Sequence, residues 1–517
     1  MNPLKHCLLI ESHGAHKTRI TNSRLRRALA GSILGMACQL AAATFFVSPS
    51  GSDTNPGSET QPFRTVQNGV SAAQPGDTVR LLRGIYEQSV KTVRHGTATQ
   101  RIVVDGGSEA TLLQFTFAHS NVVLQNVTLT GLTQPYSQLV YFDFNAHSCV
   151  LSNTVIDAAL APKVYGISWR GPRVMPFGLG ETASDNLIIS NVVKRVQAIT
   201  LISIMGDRNV VRGNQLLDSG QVDFVRLFGR SNLFSGNICS NNYSVADAGN
   251  HPDFIQAFGN NGHGSWGHII EQNLVIDMPG GQLTQLEGNL VPEIGNWTFR
   301  NNAFVNIGLG ASCSIPQIRY FNNLFYRCNF ANRGHALNFG PRSYGGPNDT
   351  AKGYNGAIGL NYPHGCEIKN NIFLECGDSR DTVGWYAFSQ DLTGISADHN
   401  YVGKIGYAPV DVDELKRPVG TPGGWATWGG WWEPHGINGG NPKIPQLSAL
   451  NFQLAPDSFL IDRGADLGSA QRDFMDRSRP QGTAFDIGPI EFTKDSSDPK
   501  PPGVPPSPPQ NLRAVSP

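Results

Sequence analysis

The chain has 517 residues, of which 39% are hydrophobic and only 15% charged, and its 40 basic residues balance 40 acidic ones. That length has room for one large core or several domains, while zero net charge removes the bulk attraction that draws a protein to nucleic acid or an anionic membrane. Low charge combined with 58 glycines argues against a helical protein and for a β-rich one with many tight corners.

Near the N-terminus, Arg24, Arg26 and Arg27 precede an apolar run from Ala28 to Ala43. Ala41 and Ala43 then suit a cleavage site before Thr44, so residues 1–43 read as a signal peptide and the mature chain as a secreted, extracellular or periplasmic, protein. The run is about 16 residues, short for a membrane span, and no later segment is long and apolar enough to be one. Gly35 stands where a lipobox before Cys38 would carry Leu, so no lipid anchor is expected. Next, FRTVQNGVSAAQ (63–74) has helical spacing of its apolar residues and is followed by Pro75-Gly76. It predicts a short helix capping whatever comes after.

A repeat dominates the middle of the chain. An Asn inside a short apolar run recurs at Asn126, Asn153, Asn191, Asn214, Asn237, Asn273, Asn302, Asn323, Asn371 and Asn400, at spacings of 27, 38, 23, 23, 36, 29, 21, 48 and 29 residues. A base coil of about 22 residues lengthened by loops explains this set, and such periods indicate a stacked architecture. Strand-length apolar runs broken by Asn and Gly suit a coil of short strands. Asn tolerates the left-handed backbone of a sharp corner, and one Asn per coil can hydrogen-bond along the axis. A leucine-rich horseshoe lacks its LxxLxL pattern here, and a propeller needs four strands per repeat. The expected fold is therefore all-β: a single-stranded right-handed parallel β-helix over about 76–410 with an N-terminal capping helix, forming one domain over 44–492. After Lys494 the Pro-rich run at 501–506 reads as a disordered tail.

Six cysteines follow the leader: Cys149, Cys239, Cys313, Cys328, Cys366 and Cys376. Export permits disulfides, but the spacing fits no zinc pattern. They read as buried small apolar residues, with one or two bridges allowed.

The stretch FFVSPSGSDTNPGSETQPFRTVQNGVSAAQPGDTVRLLRGIY (45–86) resembles the opening of secreted pectin-lyase-like β-helix proteins, among them a group of calcium-dependent pectate lyases. NFQLAPDSFLIDRGAD (451–466) and DIGPIEF (486–492) resemble the closing segment of such repeat proteins. The resemblance spans about 45–492. It implies the fold firmly and the substrate weakly, because one fold hosts many functions.

Three coils align on a shared Gly: DFVRLFG (223–229), DFIQAFG (253–259) and QLTQLEG (282–288). At offsets of 30 and 29 residues, Asp223, Asp253 and Gln282 should form one column, and Arg226, Gln256 and Gln285 a second, at about one strand spacing of 4.8 Å. Glu287 joins nearby, and DAGNHPDFIQ adds Asp247, Asn250 and His251. Two carboxylates that close need a cation, an Arg or a shared proton between them. They could hold Ca²⁺ through Asp223, Asp247 and Asp253, act as a pair in glycoside hydrolysis, or merely begin strands and cap turns. Positions three apart in a strand face opposite sides. Asp253 and Gln256 can thus share a groove only if the strand bends. Asp253 is expected outward, because a buried unpaired carboxylate is costly.

In the calcium-dependent pectate lyases that this chain resembles, an Asp-rich strand holds calcium and a Lys on the next coil takes the α-proton. Asp247 and Asp253 match the acidic stretch loosely, but Gln285 stands at the Lys position. Arg226 or a neutral His251 would have to act as the base. Polygalacturonases are the related hydrolases. Their NTD motif resembles Asn250-His251-Pro252-Asp253, and GHG occurs at 262–264, yet the intervening Asp pair is absent, which leaves His263 and His268 as solvent or turn histidines. In GGWATWGGWWEPHG (423–436), Trp425, Trp428, Trp431 and Trp432 could stack on sugar rings or plug the coil. The insertion 329–365, with Arg333, His335, Arg342, Tyr344 and Lys352, could wall a cleft.

The expected function is a polysaccharide-active enzyme. A lyase cleaving a uronic-acid polymer comes first, with Asp253, His251, Asp223 and Arg226 as catalytic residues and Gln256, Gln285, Glu287, Trp425 and Trp428 as sugar contacts. A hydrolase, an epimerase, or a non-catalytic carbohydrate-binding surface protein are the alternatives. The expected partner is an extracellular polysaccharide, not nucleic acid, bound by a monomer with no membrane span.

Overall fold

The computed structural model describes residues 42–494, outside 136, 162–164, 170–182, 198–199, 221, 244–251, 259–263, 288–293, 329–336, 340–364, 377–384, 388–394, 404–432 and 469–471. The described chain is a right-handed parallel β-helix. Among the described residues the strand-to-strand pairings between coils are parallel, as in Leu187–Ile189 with Val210–Arg212 and Thr200–Ile204 with Asp223–Leu227, with register shifts at Tyr86/Ser89, Asp105/Ala110 and Met278/Gln282. Each complete coil contributes three strands to the main faces, so the solenoid has three faces, and Gly229–Arg230, Ser265–Trp266 and Ile294–Gly295 add a short fourth ladder at one corner. Leu233–Ser235, Ile238–Tyr243 and Asp253–Phe258 are one such set, on the first, second and third face in turn. The helix Val66–Ala72 sits at the N-terminal end, capped by Thr65, whose side chain accepts from Asn68 N. Its Gly69 has no room for a Cβ, which would lie 2.8 Å from Val79 and 2.9 Å from Val47. The coil starts earlier than position 76, since Thr44–Val47 already pairs with Thr78–Leu81.

The core is the lumen of the coil. Equivalent positions stack one above the next, so like side chains meet like. Phe304, Phe325 and Phe373 form a stack with ring centroids 5.1 and 4.9 Å apart, and Phe117 lies 4.4 Å from Phe142. These spacings match the distance between paired strands. Cys149, Cys239, Cys313, Cys328, Cys366 and Cys376 are all buried and free, as small lumen residues rather than bridges.

The corner between the first and second faces carries the asparagine ladder. Asn191, Asn214, Asn237, Asn273, Asn302, Asn323, Asn371 and Asn400 run in sequence, each Nδ2 donating to the next Oδ1 at 2.9–3.0 Å. Each Oδ1 also accepts the backbone N–H of the Asn before it, as Asn302 does from Asn273. The residue just before each ladder Asn holds the left-handed corner: Ser190, Gly213, Gly236, Gln272, Asn301, Asn322, Asn370 and His399 all have φ between 49° and 63°. The ladder asparagines are therefore not themselves the left-handed residues. Asn126 and Asn153 are corrected on the same ground. They have φ of 55° and 49°, so they are corner residues, and in the second of these coils Thr154 N donates into the ladder at Asn191 Oδ1.

A second ladder runs up the corner between the third and first faces through Asn186, Asn209 and Asn232. It ends on His268, whose Nδ1 accepts from Asn232 N at 3.1 Å while Nε2 faces Ser265 Oγ at 3.1 Å. His268 is thus no solvent or turn histidine. It has 0% exposure and occupies an asparagine's position, with the edge of Trp297 against it.

The C-terminal segment returns along the outside of the second face. Ile444, Leu447, Phe452, Leu454, Leu460, Ile487 and Ile490 pack on the outward residues Leu274, Ala303, Leu324, Ile372 and Tyr401. The corner amides tie it down: Asn370 Nδ2 donates to Ala465 O, Asn301 Nδ2 to Arg472 O and Gln272 Nε2 to Asp473 O. A fully buried Arg479–Glu491 ion pair closes it.

The fold makes two predictions. Asn302→Ala removes side-chain bonds to Asn273, Ile270 and Asn323 and is expected to cost about 3 kcal/mol or more by leaving buried backbone groups unsatisfied. Ser190→Gly, at a left-handed corner, should be neutral or stabilising by up to about 1 kcal/mol. Denaturant midpoints that rank the two the other way would refute the division between ladder and corner. Burial lowers the His268 pKa to about 3, so as pH falls below about 6.5 the unfolded chain takes up a proton that the folded chain does not. Stability should fall with pH by up to about 1.4 kcal/mol per unit in that window, and His268→Asn should remove this share of the slope.

Candidate functional site

The third face carries a column of polar residues in backbone register. Successive register pairs run Lys91, Thr116, Tyr141, Ser168, Ser203, Arg226, Gln256, Gln285, Ser312, Asn338 and Tyr386. The preceding position in the same strands points into the lumen and is apolar at Phe115, Val140, Ile202, Val225 and Ile255, all buried. Alternation along a strand explains why an apolar column sits beside a polar one.

The coil alignment expected from sequence holds at backbone level. Arg226 pairs with Gln256 and Gln256 with Gln285, while Asp253 pairs with Gln282. Asp223 and Arg226, three apart, nevertheless lie on the same side, with Arg226 Nε donating to Asp223 Oδ2 at 2.7 Å. The strand bends between them, because consecutive Phe224 and Val225 are both fully buried. Asp223 Oδ1 accepts the backbone N–H of Asp253 at 3.1 Å, which links the two coils. The Arg226 guanidinium also lies over the Phe258 ring, 5.8 Å from its centroid, a cation–π arrangement.

The expectation of an outward Asp253 is corrected. Asp253 has 0% exposure, since it lies immediately before the bend where the chain turns inward. Asp223 is 5% exposed, and Arg226 is the group that balances its charge. Gln256 is half-buried and Gln285 is buried at 3%, so next to Arg226 it is Gln256 and Ser203 that stay within solvent reach, with Lys91, Thr116, Tyr141 and Ser312 reaching solvent farther along the column. Glu287 pairs with Phe258 and Ser314 through its backbone, and its side chain lies outside the described residues. Asp247, Asn250, His251, His263, Trp425, Trp428, Trp431 and Trp432 also lie outside them. So do Arg333, His335, Arg342, Tyr344 and Lys352.

Calcium takes six to eight oxygens, largely from carboxylates and carbonyls. Both Asp223 oxygens already accept from protein donors, and Asp253 is enclosed, so the pair as arranged does not form an open oxygen cage. The chemistry of this face is therefore argued through Arg226.

Sequence reasoning missed Ser203 and Phe258. Ser203 stands 23 residues before Arg226, one base coil away, and extending the alignment upstream would have reached it. Phe258 falls inside the aligned DFIQAFG, but nothing in the sequence says that its ring meets Arg226.

Residues 49–93 match the model of a family described as a protein of unknown function, DUF1565. No curated protein matches the chain. Among solved structures, the chain is similar to pectate lyase Pel9A, at 13% identity over 88% of this chain and 97% of the other, with a TM-score of 0.42. An alginate lyase from Paenibacillus sp. str. FPU-7 matches at 15% identity over 54% of this chain and 91% of the other, with a TM-score of 0.37. A GH136 lacto-N-biosidase from Eubacterium ramulus matches at 13% identity over 70% and 64%, with a TM-score of 0.39. At such identities these likenesses transfer no activity to this chain.

The Asp223–Arg226 pair gives a test of the site's electrostatics. Arg226→Gln leaves a buried carboxylate without its cation and is expected to lower stability by about 1–3 kcal/mol. Adding Asp223→Asn should recover part of that loss. Chemical denaturation of both singles and the double reads the coupling, and strict additivity would rule the pairing out.

Proposed function

We propose that this is an exported polysaccharide-active enzyme that lays a uronic-acid polymer along the polar column of the third face and cleaves it by β-elimination. The observation that carries the reading is the column itself. Polar residues recur in backbone register about one strand spacing, 4.8 Å, apart, with Arg226 placed mid-column between Ser203 and Gln256 and beside an aromatic ring. A hydroxyl-rich extended chain with carboxylate groups is the natural complement of such a surface.

In this reading Arg226 binds the uronate carboxylate, using fork donors that remain beyond the Nε held by Asp223. Asp223 positions Arg226. Gln256 and Glu287 take sugar hydroxyls, with buried Gln285 backing Gln256 from the next coil, and Trp425 and Trp428 stack on neighbouring rings. Neutral His251, two residues before Asp253, serves as the base. It removes the C5 proton as the C4–O bond breaks, the electrons form the C4–C5 double bond, and the leaving oxygen acquires a proton. Arg226 stabilises the negative charge that spreads onto the carboxylate during proton removal. The enclosure of Asp253 and the pairing of Asp223 with Arg226 speak against the two as an acid and nucleophile for hydrolysis, which would need both facing the sugar.

The test is incubation with a panel of uronic-acid polymers, following ultraviolet absorbance of unsaturated ends. Wild-type protein should generate that absorbance on at least one polymer. Arg226→Gln should lose about 100-fold, with Arg226→Lys intermediate because it keeps the charge but not the fork. New reducing ends without absorbance would make the protein a hydrolase, and binding without cleavage would make it a carbohydrate-binding protein; either ends the lyase reading.

A further inference from the structure

At the C-terminal end of the asparagine ladder, away from the polar column, Asp398, His399 and His435 converge. Asp398 ends the strand Ile395–Asp398, and His399 is the left-handed corner residue that follows, with φ of 56°. His435 returns to the same spot from a later stretch of chain. Nδ1 of His435 lies 2.9 Å from Asp398 Oδ2, and Nδ1 of His399 lies 3.3 Å from the same oxygen. The two rings stack with centroids 4.5 Å apart and 20° between planes. Among the described residues this is the group whose His, Cys, Asp or Glu ligand atoms cluster in a threesome, all within 4.8 Å of one another.

Two details distinguish the cluster from an ordinary surface ion pair. His399 Nδ1 is buried and makes no hydrogen bond, despite its approach to Asp398, and a buried ring nitrogen in that state calls for an explanation. The carboxylate is also pre-oriented, because Asp398 Oδ1 accepts the backbone N–H groups of both His399 and His435 at 2.9 Å. That leaves Oδ2 aimed at the two imidazoles. Atoms bound to one ion at about 2.1 Å lie about 3.0–3.4 Å apart, from octahedral to tetrahedral geometry. The 3.3 Å separation falls within that range and the 2.9 Å one, a hydrogen bond without the ion, lies just below it.

We propose that Asp398 Oδ2, His399 Nδ1 and His435 Nδ1 form a binding site for a first-row divalent cation such as Zn²⁺. Two imidazoles and one carboxylate suit Zn²⁺ and its neighbours, whereas Ca²⁺ asks for an all-oxygen cage. The side chain of His435 is 64% exposed, so water completes the coordination. The site's role is mechanical. His399 precedes Asn400, the last asparagine of the ladder, and His435 follows Glu433, whose Oε2 accepts both Asn400 N and Asn400 Nδ2. A cation held by both histidines staples the returning chain to the final coil, next to the carboxylate that terminates the ladder.

The test uses the full chain stripped of metal by a chelator and titrated with Zn²⁺, with Co²⁺ as a spectroscopic probe. One equivalent of Zn²⁺ should bind and raise the thermal unfolding midpoint, with new visible absorbance for Co²⁺. His435→Ala should leave the metal-free midpoint near wild type, because that ring is largely exposed. It should weaken binding at least tenfold and abolish the Zn²⁺-dependent rise. Asp398→Asn keeps the Oδ1 caps and removes the charge, so it should weaken binding in the same way even if truncation of His435 disturbs folding. The site is refuted if Zn²⁺ neither binds nor shifts the wild-type midpoint, if both variants bind as wild type does, or if Ca²⁺ stabilises as well as Zn²⁺.

Discussion

A buried carboxamide carries two donors and an oxygen with two lone pairs, and leaving any of them unmet in a lumen is expensive. In this solenoid each ladder asparagine meets that demand from the coils on either side. Its oxygen takes both the side-chain and backbone N–H of the coil below, and its Nδ2 donates to the coil above and to a backbone carbonyl. The corner can therefore turn sharply inside the protein without stranding polar groups. Once the corner is fixed, strand register on all three faces follows, since a slip by one residue would turn lumen side chains outward. The polar column on the third face is a by-product of that register. The ladder is also directional, so it needs an end that accepts without donating. Glu433 supplies it at Asn400, and neutral His268 supplies it for the second ladder at Asn232.

The faces are not equivalent. In the C-terminal half the outer surface of the second face is covered by the returning segment, with Leu324, Ile372 and Tyr401 packed beneath Leu454, Leu460 and Ile487. The third face carries its polar column over the same coils. A bend between Asp223 and Arg226 then brings together two side chains that a flat strand would keep apart, giving a half-exposed cation held by a buried anion. This is the arrangement that makes Arg226 a fixed group rather than a floppy one.

Much of this was legible in the sequence, because a solenoid converts sequence period into spatial neighbourhood. The offsets of 30 and 29 residues placed Arg226, Gln256 and Gln285 in one column without any knowledge of the coordinates. What failed was local. Asn126 and Asn153 look like ladder members, but the corner residue and the ladder residue are adjacent and both favour Asn, so the motif alone cannot say which is which. Asp253 was expected outward on the cost of burying charge, yet the bend at Phe254 and the bond from its own N–H to Asp223 decide its position. His268 carried no Asn signature, although it fills an Asn's position through its Nδ1 lone pair. The metal-ligand histidines are 36 residues apart in sequence and join only through the way the chain returns.

The returning segment has a consequence for how the molecule is made. Its tethers join residues far apart in the chain, with Gln272 to Asp473 separated by 201 positions and Asn301 to Arg472 by 171. Coils can add one upon another as the chain emerges, each needing only its neighbour. The apolar outer strip from Leu274 to Tyr401 must wait until the last-made stretch arrives to cover it. Until then the growing solenoid is a tacky intermediate, open to pairing with other copies through that strip, and late closure by the strap separates a finished molecule from an aggregating one.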